Sequence, residues 1–493
     1  MASESAPLGR FFKHSSIYAF GNVLNRIAAL LLLPIYTNYL TVAEYGALEL
    51  FYVVAAVVTG FLSVGIAHAT LRFYFEYDAE TDRNSVVTTN LTVSLLISLA
   101  GVLLIGQWHE GLAQYVFGGP EYSRGVLIIL ATLVLELSSQ VSLAYLRARE
   151  YSMLFVGIMF FKLLLQLAAN TWFVVFQDMG VEGVLAGNFL AVAFGWICLT
   201  IFVLSKCGYR FEWGKAVPAL KYSFPFLLST ITALVSNYTD RFLINSLLSL
   251  QILGIYALAL KFSELLESLI GEPFNRSYGA FRFSIMKEGN AAGVQARIVR
   301  YLLIGLAATG LGIVYFTKDL LTIMSDPSYW PAAAILPILM VASLLKVLNY
   351  TFQTGILYEK KTHHIFQIGL IAAVTSVVSN FLMIKWLGLV GACLAQVLTA
   401  GVVLVVTNRI SQRYFRVHYD YRRLLAIAMV TVVFYLLSLP FVDQPVYVEF
   451  PAKVMLYVVF VLAMFFSSAL HADERAWLRS MLKRLVSRRG IKG

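Results

Sequence analysis

Charge is what this chain has least of. Only 13% of its 493 residues are charged, while 59% are hydrophobic; a soluble globular chain carries about 25% charged residues. A water-soluble fold of that composition would leave large apolar areas facing water, so soluble enzymes, disordered scaffolds and secreted disulfide proteins are excluded. Cysteine is nearly absent. Cys198, Cys207 and Cys393 are too few and too scattered for a disulfide framework or a zinc site. The chain also lacks an Asp-x-Asp metal pair and a Gly-x-x-x-x-Gly-Lys-[Ser/Thr] phosphate loop, which removes the usual handles for glycosyl transfer and ATP hydrolysis. No polar stretch is long enough for a soluble domain.

What is present is a series of long apolar runs. A bilayer-spanning helix needs about 20 mainly apolar residues. Such runs lie at about 15–40, 47–74, 86–106, 124–147, 153–177, 183–205, 222–247, 252–283, 296–317, 331–357, 365–386, 389–409, 423–441 and 452–470. They are continuous rather than alternating, so a membrane β-barrel is excluded. The sequence predicts an all-α polytopic membrane protein with about fourteen transmembrane helices. The first run is too long for a cleavable signal and is interrupted by Asn22, Asn25 and Arg26.

Lysine and arginine orient the spans. With the N-terminus inside, 28 of the 38 basic residues fall in inner segments, and the outer loops hold only Arg124, Lys318, Lys385 and Lys453. Both termini are therefore expected on the cytoplasmic side, and the net charge of +11 is a topology signal rather than a nucleic-acid signal. The tail 471–493 places Trp477, Leu478, Met481, Leu482 and Leu485 among arginines at helical spacing. It reads as a basic amphipathic helix on the inner leaflet or as a plain positive-inside stop.

The chain repeats. Lys13 to Gly46 and Lys221 to Gly254 are both intervals of 33, so Leu40-Thr41 falls on Leu248-Ser249 at an offset of 208. The offset returns where Gly180-Val-Glu-Gly183 meets Gly388-Leu-Val-Gly391, and drifts to 210 between, where Glu150 meets Lys360 and Asn170 meets Asn380. Each repeat holds six helices, an even number, so both halves stand the same way up about an axis along the membrane normal, with a site expected between them. The expected organisation is a six-helix lobe at 1–212, a second at 213–418, two added helices at 419–470 and the tail.

Six basic residues remain inside the spans: Arg26, Lys162, Arg241, Lys261, Arg276 and Lys346. An intramembrane charge costs roughly 2.5–3.5 kcal/mol on insertion scales and usually faces a cavity or another charge. At 100° per residue they fall on polar stripes. The first span aligns Asn22, Asn25 and Arg26, the seventh Asn237, Asp240 and Arg241, and the eighth Lys261, Glu264, Glu272 and Arg276. The tenth aligns Lys346, Asn349, Tyr350 and Gln353, and the fourth places Glu136, Ser139 and Gln140 at related positions. Glu272 with Arg276, and Lys261 with Glu264, also have the spacing of pairs that only neutralise each other. Arg26 has no carboxylate within four residues and lies about 20 Å in from Lys13. Asp240 and Arg241 are adjacent and are expected to point about 100° apart. Buried cations suit a phosphate or diphosphate. The candidate substrate-binding cations are thus Arg26, Arg241, Lys261, Arg276 and Lys346. Asn22, Asn25, Glu136, Asp240, Glu264, Glu272, Asn349 and Gln353 are candidates for polar lining or for coupling. The carboxylates either couple movement to H+ or Na+ or balance charge. No catalytic, cofactor or metal-ligating set stands out.

Two stretches carry a family resemblance. Pro34-Ile-Tyr-Thr-Asn-Tyr-Leu-Thr-Val-Ala-Glu-Tyr-Gly-Ala-Leu resembles the first-to-second-helix signature of the Wzx-type polysaccharide flippases of the MOP superfamily. Asp240-Arg-Phe-Leu-Ile through Leu253-Gly-Ile-Tyr-Ala-Leu-Ala-Leu-Lys261-Phe is similar to their seventh-to-eighth-helix signature. The resemblance implies a MATE-like fold of two six-helix lobes around a cationic cavity in the bacterial inner membrane. It implies alternating-access transfer of an undecaprenyl-diphosphate-linked oligosaccharide, without ATP or nucleic acid, among membrane lipids and with a polysaccharide polymerase and chain-length machinery as candidate partners. Lipid II flippases are relatives whose first helix carries a functional arginine, a role that Arg26 fits by position. A lipid II flippase is therefore one alternative. A membrane glycosyltransferase or O-antigen ligase is another, disfavoured because no outer loop exceeds about twenty residues.

Overall fold

The computed structural model describes residues 31–63, 65–285, 290–442 and 444–466. Asn22, Asn25, Arg26 and the basic tail lie outside the described residues. Among the described residues there is helix and connecting turn, and no strand. A helical segment at 31–39 is followed by α1 (Val42–Leu62), α2 (Ile66–Tyr74), α3 (Glu80–Gly106), α4 (His109–Phe117), α5 (Ser123–Ala148), α6 (Ser152–Thr171), α7 (Gly180–Cys207) and α8 (Trp213–Leu247). Then come α9 (Leu250–Leu266), a π-helical turn (Glu267–Gly271), α10 (Glu272–Ile285), α11 (Ala291–Met324), α12 (Ala332–Phe352), α13 (Thr354–Tyr358), α14 (His363–Tyr414), α15 (Tyr421–Ser438) and α16 (Val446–Phe466).

Ten helices among the described residues are long and apolar enough to cross a membrane, and the described parts of the apolar runs from the second onward fall mainly on helix. The protein is a multi-pass membrane protein. α14 has 52 residues, which at 1.5 Å per residue is more than twice a bilayer core of about 30 Å. Gly388 breaks it, with φ 59° and ψ −134°, so α14 is two helices that meet at Gly388, each long enough for one crossing.

The structure repeats as the sequence does. Thr41 caps α1 by accepting from the Glu44 amide at 3.2 Å, and Ser249, 208 residues on, caps α9 by accepting from the Ile252 amide at 3.2 Å. Gly180 and Gly388 both have positive φ, 53° and 59°. Glu150 and Lys360 are not glycines, yet both stand in the left-handed region at 58° and 57°. Each closes a helix end with the same six-residue bond, Tyr151 N to Leu146 O at 2.9 Å and Lys361 N to Ile356 O at 3.0 Å. One place differs. The first repeat breaks at Gly65 (φ 72°) between α1 and α2, whereas the second passes the equivalent point through the π turn before Pro273. Proline cannot donate to the ladder and crowds the preceding turn; an inserted residue relieves that without ending the helix.

Contacts group the chain into two compact units: Met1–Ala257 with Met324–Tyr329 and Ser376–Leu389, and Leu258–Ile323 with Trp330–Thr375 and Val390–Gly493. In the first, α5 packs against α3 and α7, and α7 against α6. Tyr74, Val87, Tyr145, Leu146, Ile158 and Val203 form its buried cluster. In the second, Gly310 of α11 lets Met340 of α12 approach. The added helices are tied on by Tyr315 Oη donating to Phe434 O and Tyr457 Oη donating to Ala308 O. Lipid tails are as apolar as leucine, so close packing and hydrogen bonds hold such helices together.

Candidate functional site

In the second unit the polar stripe runs from α9 through the π turn into α10. Lys261 and Glu264 lie one turn apart on α9; Lys261 is half-buried and Glu264 exposed. Glu267, the first residue of the π turn, accepts a short hydrogen bond from Tyr350 Oη of α12. The turn lies flat against α12 because Gly271 has no side chain: a Cβ there would meet Val347 Cγ2 at 2.8 Å. One turn before Tyr350, Lys346 Nζ donates to Gln396 Oε1 of α14 at 3.0 Å. Between them Asn349 Oδ1 is buried with no hydrogen-bond partner among the described residues. Gln353, half-buried, ends α12. The π turn, α12 and α14 thus bring Lys346, Asn349, Tyr350, Glu267 and Gln396 into one polar seam.

Glu272 and Arg276 pair at 3.5 Å with both side chains partly exposed, the i,i+4 geometry that neutralises charge. In the first unit, Asp240 and Arg241 do not point apart as their adjacency suggests. Asp240 is fully buried and accepts from Tyr256 Oη and from the Arg241 amide. The Arg241 guanidinium folds back to within 3.4 Å of the carboxylate, donates to Asn237 O at 2.7 Å and stands over the Tyr238 ring. The long arginine stem overrides the helical angle. Glu136 and Gln140 are exposed and Ser139 is buried against its own helix, donating to Leu135 O.

The first unit has a second seam. Asn170 Nδ2 donates to Tyr36 Oη at 2.6 Å and Asn188 Oδ1 at 3.2 Å; Gln166 Nε2 donates to the same Oδ1 at 2.8 Å, and Asn188 Nδ2 to Tyr52 Oη at 3.4 Å. Asn170 Oδ1 is pressed toward Gly187, where a Cβ would come within 2.0 Å. Tyr52, Asn188, Tyr256, Glu267 and Gln396 were not among the candidate residues.

At the loop side of this unit, Lys215 pairs with Asp82 at 2.8 Å and Glu212 at 3.3 Å, and donates to Ser85. Thr88 Oγ1 donates to Arg210 O at 2.7 Å, and Thr89 Oγ1 accepts from the Glu212 amide at 3.0 Å. The segment joining the two repeats is thereby fastened to the start of α3. Desolvation pushes the Glu212 carboxyl up, but hydrogen bonds from Ser85 and Lys215 and the nearby cations outweigh it and hold it below the usual range.

A family model described as "Polysaccharide biosynthesis protein" matches residues 37–279. No curated protein matches the chain by sequence. Among solved structures, a lipid II flippase, MurJ, in an inward closed conformation superposes with a TM-score of 0.73 at 13% identity, covering 92% of this chain and 99% of that one. An inward-facing multidrug-resistance MATE transporter of the MOP superfamily gives 0.64 at 14% identity, with 82% and 95% covered. A MOP-superfamily transporter from Pyrococcus furiosus, whose binding pocket is described as reversed in polarity, gives 0.53 at 15% identity, with 85% and 96% covered. The chain has the MATE-like fold that these transporters share.

Proposed function

We propose that this protein is a flippase that moves an undecaprenyl-diphosphate-linked oligosaccharide from the inner to the outer leaflet of the bacterial inner membrane, for O-antigen, capsule or exopolysaccharide assembly. The match of residues 37–279 to a polysaccharide-biosynthesis family, on a chain with this fold, carries the reading. That span holds the second signature stretch and the first from Thr37 onward, and it closes just past the stripe from Lys261 to Arg276. In this reading Arg26, Arg241, Lys261, Arg276 and Lys346 attract the diphosphate, because guanidinium and ammonium groups bind phosphate oxygens with charge-assisted hydrogen bonds. The carboxylates of Asp240, buried, and Glu267, half-buried, offer places for a coupling H+ or Na+. Both termini face the cytoplasm, where the arginine-rich loops gather, and a polysaccharide polymerase takes up the product.

A second reading, a lipid II flippase, is favoured by the superposition on MurJ at 99% of its length. It shares the diphosphate-linked prenyl carrier and differs in the sugar. The deciding experiment is complementation of two strains, one lacking its polysaccharide flippase and one lacking its lipid II flippase. Rescue of surface polysaccharide alone supports the first reading, rescue of growth alone the second, and rescue of neither refutes both. In the rescued strain Arg26→Ala should abolish rescue at equal membrane abundance.

A further inference from the structure

We infer that a cavity where three connections of the first unit meet binds an uncharged sugar ring, stacked on Tyr39 and hydrogen-bonded to Asp326 and Gln251. The cavity has a volume of about 650 Å³, within the roughly 300–1,000 Å³ of small-molecule sites. Its walls are residues 38–43 entering α1, Gln251 at the start of α9, and Asp326 with Ser328 between α11 and α12. All of these belong to the first unit.

The walls are fixed before any ligand arrives. Thr37, fully buried, donates through Oγ1 to Met324 O at 3.0 Å, and its own carbonyl accepts from the Asp326 amide at 3.2 Å. Asn38 Nδ2 donates to Pro34 O at 2.7 Å and to Met324 O at 2.9 Å. Tyr329, also fully buried, donates to Leu40 O at 3.0 Å and meets the Tyr45 ring edge-on at 5.9 Å. The segment 324–329 is thereby clamped to 37–45. A preformed site of this kind loses little entropy when a ligand enters.

The lining chemistry selects a sugar. Asp326 Oδ1 accepts from the Ser328 amide at 2.9 Å and from Ser328 Oγ at 2.6 Å. The Ser328 hydroxyl and amide hold the Asp326 carboxyl below the usual carboxylate range, so at neutral pH it is a charged acceptor with Oδ2 left for a ligand hydroxyl. The exposed Gln251 amide offers both donors and an acceptor. Tyr39 is 52% exposed. Its ring is a surface on which the C–H face of a pyranose packs while the sugar hydroxyls reach the polar groups beside it. The lining residues include no lysine or arginine, so a phosphate would meet the Asp326 charge unopposed and be repelled. In the orientation expected from the basic loops these connections lie outside, where a flipped oligosaccharide arrives. That role rests on the proposed flippase function; the binding of a sugar does not.

Saturation-transfer-difference NMR on the full-length protein in lipid nanodiscs tests this. The probes are the methyl glycosides of glucose, galactose, mannose, rhamnose and N-acetylglucosamine, with sorbitol, a polyol that has no ring face, as control. At least one glycoside should receive saturation, strongest at its ring C–H protons, and sorbitol none. Asp326→Asn should weaken binding about tenfold, the scale of one hydrogen bond to a charged group, and Tyr39→Ala about fivefold, the scale of one aromatic contact. Tyr39→Phe should keep most of the binding, and Lys361→Gln, on an exposed loop elsewhere, all of it. Silence from every glycoside, equal saturation of sorbitol, or indifference to both Tyr39→Ala and Asp326→Asn would overturn the site. Gln251→Ala, outside the clamp, decides the matter where either variant lowers the yield of folded protein. Failed complementation with glycoside binding intact removes the flippase function and leaves the site; rescue with a silent cavity does the reverse.

Discussion

Gly46 and Gly254 lie against each other's helices in matching contacts. A Cβ on Gly46 would come within 2.0 Å of Leu250 O, and a Cβ on Gly254 within 2.1 Å of Val42 O. Both glycines are 208 residues apart in sequence, as are Val42 and Leu250. Repeat-related residues exchanging the same contact is what a local two-fold produces. The atoms in the way are backbone carbonyls near capped helix starts, which cannot swing aside as a side chain would. Gly46→Ala and Gly254→Ala should therefore each lower the thermal unfolding temperature, at about 1–3 kcal/mol for forced overpacking. The double variant should cost less than the sum, because once the helices have parted for one methyl the second finds room. Additive losses in a melting series would show the two contacts to be independent.

Lys453 reads from the sequence as a residue of an outer loop. The structure buries it at 3% exposure between Asp319 at 2.9 Å and Glu449 at 2.6 Å. The i,i+4 spacing of Glu449 and Lys453 was visible; that Asp319 of α11 would meet them from 134 positions away was not. Lys453→Met would leave the buried Glu449 carboxylate and the half-buried Asp319 carboxylate without their cation. The expected loss is about 3–5 kcal/mol, the scale of breaking a buried pair on one side, read as a large fall in melting temperature. Replacing all three residues by apolar ones should recover most of it.

The fastening of the linker predicts a pH dependence. Glu212 has its carboxyl held below the ordinary value, so the folded protein binds that proton less readily than the unfolded chain. Its contribution to stability is fully present at neutral pH and fades as pH falls through the carboxylate range, roughly pH 4 and below. A wild-type protein should melt above Lys215→Met at pH 7, and the gap should narrow toward zero as pH drops past 4. A gap that stays constant with pH would show that Lys215 acts through packing alone.

Much of the fold was legible because a bilayer leaves few options: every backbone group must be satisfied within a helix, and length and apolarity then mark each crossing. The repeat was legible at points where backbone geometry leaves little choice, such as Gly180 and Gly388. Glu150 and Lys360 aligned by position, but their left-handed conformation could not be read from residue type, since neither is a usual choice there. The site was less legible. Helical angles put Lys346, Asn349 and Tyr350 on one stripe, and α12 presents them so. Pairing depends on side-chain reach and on neighbouring helices, so Arg241 turned back to Asp240 and Glu267 found Tyr350 without a pattern to announce either.

The link between Glu267 and Tyr350 gives the sharpest test of the polar seam. Glu267 stands in the π turn, where the helix is most readily rewound, and its partner is on α12. If the seam serves the proposed flipping step, Glu267→Gln and Tyr350→Phe should each reduce complementation with little change in membrane abundance. Gln can still accept the tyrosine hydrogen bond, so Glu267→Gln removes the charge and keeps the link; Tyr350→Phe removes the link and keeps the charge. A coupling role for the carboxylate makes the first substitution the more damaging and leaves the double variant no worse than it. A purely structural role reverses that order, and a liposome flipping assay of the three variants distinguishes the two outcomes.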